Sequence, residues 1–211
     1  MAASLTKGAL RGPPPPVDRH WGGGGGPGGR GANRRASFTG LAVLIAASVM
    51  TFAALTVAFV YRRSGAGDWV SVPKPPVLFG NSAVLLLSSI VLDQSRRALK
   101  AGSRTGFNFW WTAATVLGIL FLVGQAAAWL QLKDAGIYAG SGPATAFFYI
   151  LTAAHAVHVV GGVAALIYVD VQAWRLRLGP SKRTVIDVSA VFWHFLDAVW
   201  LALMVLLYVW G

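Results

Sequence analysis

The chain has 211 residues, 55% of them hydrophobic and only 12% charged, and its mean hydropathy is +0.59, a balance that excludes a soluble globular domain and fits a polytopic membrane protein. It contains no cysteine and no glutamate, so disulfides, thiolate metal centres and iron–sulfur clusters are excluded. The formal charge of +11 is carried by a tail and by loops between hydrophobic runs, not by a basic stripe on a soluble surface, so nucleic acid is not an expected partner.

Residues 1–36 combine PPPP at Pro13 to Pro16, GGGGG at Gly22 to Gly26 and scattered arginines with few apolar side chains. Such a segment buries too little surface to offset its ordering entropy. It is expected to be a disordered, basic Pro/Gly-rich tail: a solvated tether, with attraction to anionic membrane lipids as the sharper alternative. It has no apolar h-region of the kind a signal peptide needs.

Residues 37–211 carry five hydrophobic spans, expected at about 38–61, 77–99, 109–132, 144–174 and 185–210. Each can cross a hydrocarbon core of about 30 Å at about 1.5 Å per residue. Arg62 and Arg63 stop the first, and Pro73, Pro75 and Pro76 lead into the second, which ends at Arg96, Arg97 and Lys100. Trp110 and Trp111 at one end of the third span and Trp129 at the other suggest interfacial belts. The turn Gly140-Ser141-Gly142-Pro143 opens the fourth. Short connections predict an all-α, antiparallel up-and-down bundle of five transmembrane helices. Fourteen of the 18 Lys and Arg lie in the tail and in the second and fourth connections, so the positive-inside rule predicts a cytoplasmic N-terminus and an outside C-terminus.

The polar residues inside these spans are the candidate functional residues. His155 and His158, in FFYILTAAHAVHVVGG, are three apart and share a helix face, with Gly161 and Gly162 leaving a notch nearby. His194 and Asp197 share a face of the fifth helix in the same way. Imidazoles can ligate iron, copper or zinc, but three histidines without Cys or Glu are a thin ligand supply. The simpler reading is a polar cluster between the fourth and fifth helices, in which the histidines and Asp197 satisfy one another. A proton relay through Asp197 is the alternative to a fixed hydrogen-bond acceptor. Gln125 and Asn81 read as interhelical hydrogen-bonding groups, and Asp93 as an interfacial partner of Arg96.

Four blocks in order resemble one family. FFYILTAAHAVHVVGG is similar to the fourth-helix motif, and VFWHFLDAVWLALMVLLYVWG, with His194, Asp197 and Trp200, to the last helix, of haem–copper cytochrome c oxidase subunit III. GNSAVLLLSSIVLDQSRRALKAG resembles its second span and LGILFLVGQAAAWLQL its third. The resemblance covers residues 38–211 and implies the bacterial five-helix form, which lacks the first two helices of longer members. It implies a subunit of a respiratory terminal oxidase with no haem, copper or catalytic residue of its own. That subunit is docked on the catalytic haem–copper subunit I, supporting O2 reduction and proton uptake, with phospholipid bound in a cleft that the missing helices would complete. Ser48 stands where the family often has a glutamate, so no role of that carboxylate carries over. Subunits of quinol oxidases and nitric oxide reductases share most of these motifs and remain alternatives. A small proton-coupled transporter is the rival of another class, but the internal repeats and broken helices that usually mark one are not seen.

Overall fold

The computed structural model describes residues 27–65, 67, 69–70, 72–73, 75–175 and 183–210, with side-chain environments from Arg34 onward. Among these residues the protein is all-helical: α1 (Pro27–Ser64), α2 (Val77–Lys100), α3 (Arg104–Asp134), α4 (Pro143–Trp174) and α5 (Arg183–Trp210). All five helices are long and apolar enough to cross a membrane. Residues 1–26 of the expected tail lie outside the described residues. Residues 27–36, expected as disordered tail, instead continue α1 as helix. Once the apolar span has nucleated a helix, each further residue adds a bond at the cost of fixing one residue only, so the helix runs past the hydrophobic boundary.

Local chemistry sets the turns. After α2, Ser103 N donates to Ala98 O and Gly102 N to Leu99 O, with Gly102 at φ 78°, the left-handed conformation that glycine adopts without strain. The Ser103 hydroxyl then accepts from Gly106 N and caps α3, which therefore starts at Arg104, ahead of the expected 109. After α3 the same pair of bonds recurs around Gly136, from Ile137 N to Leu132 O and from Gly136 N to Lys133 O. Pro143 opens α4 at a position whose N–H has no helical partner in any case.

Packing closes α2, α3, α4 and α5 into a ring in that order, with α5 returning to α2. α1 stands outside the ring, against α5 and α4, and is the least buried of the five. Neighbouring ring helices run antiparallel. Between α3 and α4, for example, Trp111 Nε1 donates to Leu166 O at 3.0 Å at one end and Trp129 Nε1 to Thr152 Oγ1 at 3.1 Å at the other. One apolar cluster inside is built around Trp111, Phe121, Trp193 and Trp200, and a second around Phe59, Phe148, Leu151 and Leu207. Trp111 is thus not a belt residue. Its indole is fully buried and finds a carbonyl partner across the bundle, whereas the adjacent Trp110 is exposed.

Candidate functional site

The polar interior is organised by α5. Trp193 and Trp200 are seven residues apart, so they leave α5 on one face. Each donates its indole N–H to a serine of α2: Trp193 to Ser88 Oγ and Trp200 to Ser82 Oγ, both at 2.9 Å. The Trp193 ring fits because small residues face it. A Cβ on Gly118 of α3 would stand 2.6 Å from Trp193 Cη2, and one on Gly162 of α4 would stand 2.8 Å from Leu196 Cδ1 and 3.1 Å from Trp193 Cε3. Trp193 therefore touches all three other helices of the ring, and the notch at Gly162 is filled by α5.

His194 and Asp197 also turn to α2. Ser89 Oγ sits between Asp197 Oδ2 and His194 Nδ1, the latter at 2.8 Å, and His194 Nε2 lies 3.2 Å from Asp93 Oδ1. Arg96 closes the outer end, 3.5 Å from both Asp93 and Asp187. A chain of polar groups thus runs inward from the end of the bundle: Asp187, Arg96, Asp93, His194, Ser89, Asp197. Two proton arrangements satisfy its inner part. With Asp197 ionised, Ser89 donates to it, and a doubly protonated His194 donates to Ser89 and Asp93. With Asp197 protonated, its O–H donates to Ser89, and Ser89 donates to a neutral His194.

His155 and His158 do not join this chain, so the expected cluster between the fourth and fifth helices is corrected to one between α2 and α5. His155 is fully buried against aromatic rings: Trp200 at 4.9 Å between centroids, Phe121 edge-on at 5.9 Å and Phe52 of α1 at 6.3 Å. Neither of its ring nitrogens has a hydrogen-bond partner among the described residues. The same holds for both carboxamide atoms of buried Gln125. His158 Nδ1 lies 2.8 Å from Ala154 O of its own helix, and its ring is 5.2 Å from that of Phe52. Asn81 crosses from α2 to donate to Phe121 O at 3.0 Å. Ser48 is buried on α1 and donates to Leu44 O at 2.8 Å. Among the described residues, no group of three or more His, Cys, Asp or Glu is arranged to hold a metal ion.

The serines of α2 are the partners that sequence reading missed. Ser82 and Ser88 are six residues apart on α2, close to the seven between Trp193 and Trp200 on α5, and Ser89 follows directly. Matching those two intervals across antiparallel helices is the signal that would have found them.

Five helices long and apolar enough to cross a membrane, joined by polar contacts inside the bundle, define a multi-pass membrane protein. A family model described as cytochrome c oxidase subunit III matches residues 68–211, which contain the whole ring α2–α5 and leave α1 outside. A protein named probable cytochrome c oxidase subunit 3 from Mycobacterium tuberculosis is 30% identical over 173 residues, covering 80% of this chain and 85% of its own. Cytochrome c oxidase subunit 3 of Corynebacterium diphtheriae is 29% identical over 178 residues with the same coverage. That of a Synechocystis strain is 29% identical over 180 residues, 80% of this chain and 73% of its own. The chain belongs to the cytochrome c oxidase subunit III family, and membership makes it a subunit of an oxidoreductase complex.

Proposed function

We propose that this chain is the non-catalytic subunit III of a haem–copper cytochrome c oxidase, bound in the membrane to the catalytic subunit that carries the haems and copper. It supports O2 reduction, proton uptake and stability of the complex without carrying electrons. The relatives are named for cytochrome c, which favours that donor over quinol. The observation that carries this reading is the separate engagement of the three membrane histidines. His155 sits in an aromatic box, His158 bonds its own helix, and His194 is held by Ser89 and Asp93. His155 and His158 both pack against Phe52, while the polar side chains of α5 are used to join α5 to α2. In this reading His155, His158, Gly162, His194, Asp197, Trp200, Gln125 and Asn81 hold the bundle in shape for a partner.

A cytoplasmic N-terminus is part of this proposal. Arg96, Arg97, Lys100, Arg104, Arg175 and Arg183 lie at the ends of helices on the same side of the bundle as the start of α1, and the positive-inside rule supports a cytoplasmic location for that side. The test is sustained O2 consumption by the purified complex with and without this chain. The expected result is a complex that still reduces O2 when stripped but cannot sustain its rate or its proton uptake. Identical sustained turnover and proton uptake in both preparations would overturn a supporting role.

A further inference from the structure

On the outer face of the ring, a groove of about 770 Å³ follows α3 from Arg104 to Leu117, walled on the α4 side by Trp174. At about 1.5 Å per residue it is about 20 Å long, one leaflet of a bilayer whose hydrocarbon core is about 30 Å thick, with its headgroup zone added. Its lining changes in order along the helix. Arg104, Thr105 and Asn108 form the end nearest the membrane surface, and Ala113, Val116 and Leu117 form the end at membrane depth.

The wall is fixed by hydrogen bonds. Trp174 Nε1 donates to Thr112 Oγ1 at 3.2 Å, and that hydroxyl donates to Asp170 Oδ1 at 2.7 Å. Asp170 is thereby engaged and does not line the groove. At the polar end, Thr105 and Asn108 stand beside Arg104 among the described residues. Arg104 makes no ion pair among them, whereas Arg96 on the same side is shared between Asp93 and Asp187. One cation in the lining, polar groups beside it and an apolar trough one leaflet deep match one amphiphile in polarity, charge and length.

We propose that this groove is a binding site for an anionic phospholipid, its phosphate at Arg104 and one acyl chain along Ala113, Val116 and Leu117. The site differs from the cleft implied by the family resemblance, because it lies on the outer face of α3 and α4, away from α1. An arginine at the membrane surface attracts an anionic headgroup enough to favour it about fivefold over a zwitterionic one.

The test is native mass spectrometry of the full chain released from nanodiscs containing equal phosphatidylglycerol and phosphatidylcholine. The wild type should retain phosphatidylglycerol in preference by about that factor. Arg104→Gln should bring the ratio close to one, and Arg104→Lys should keep most of the preference. Val116→Trp, at an exposed position in the trough, should lower retention of both lipids. Equal retention of the two lipids by the wild type, or an unchanged ratio in Arg104→Gln, would overturn the site and leave the groove to be covered by a helix of a partner subunit.

Discussion

Gly124 shows how closely single residues are fitted in this bundle. A Cβ there would come within 2.3 Å of Asn81 Oδ1, so the α3 surface is cut away where the Asn81 carboxamide crosses to Phe121 O. Gly124→Ala should therefore displace Asn81 and destabilise the protein by about 1–3 kcal/mol. In an Asn81→Ala background the clash is gone, and the same substitution should stabilise by up to about 1 kcal/mol, the helix preference for alanine over glycine. Unfolding in mild detergent measures both, and the same sign in the two backgrounds would contradict this packing. At this scale the sequence was only partly legible. Asn81 and Gln125 could be marked as buried polar groups from their apolar neighbours, and the Asp93–Arg96 pair from its spacing. That Trp111, Trp193 and Trp200 lie in the core could not be seen, because tryptophan suits an interfacial belt and a hydrogen-bonded interior equally well.

The helices themselves were the most legible part, since five long apolar runs separated by basic or Pro/Gly-rich connections leave little choice. Their ends were less so: α3 begins where Ser103 caps it, and α1 extends to Pro27, neither of which hydropathy reports. Periodicity also placed His194 and Asp197 on one face of α5 without saying which neighbour that face meets. A spacing of three fixes an angle on a helix, while the neighbour is chosen by packing, here by Trp193 settling over Gly118 and Gly162 and turning the polar face to α2. The cross-helix pairing gives a direct test. A double-mutant cycle of Ser89→Ala with Asp197→Ala should show coupling of about 0.6 kcal/mol, with about 1.7 kcal/mol as the upper bound for such bonds in membranes. The cycle of His155→Ala with Asp197→Ala should be additive, because His155 meets Trp200 and Phe121 instead. Coupling in the second cycle and none in the first would return the pairing to α4 and α5.

At the scale of the whole molecule, four helices form a closed, cross-linked ring and a fifth leans on its outside. The family match coincides with that ring, which is also where the polar contacts of α5 concentrate. Membership could be read from four ordered blocks of sequence, yet which residues join the helices could not, since the contacts between α2 and α5 involve partners about a hundred positions apart, as Trp193 and Ser88 are. The proposed role is that of a bundle that serves a redox partner and holds no redox centre itself. Its most direct test is the visible absorption spectrum of material copurified on the intact, full-length chain from mild detergent, recorded before and after the subunits are separated. A haem Soret band is expected in the copurified complex and should stay with the partner subunit on separation. A complex without haem, or a Soret band that remains with this chain, would contradict it.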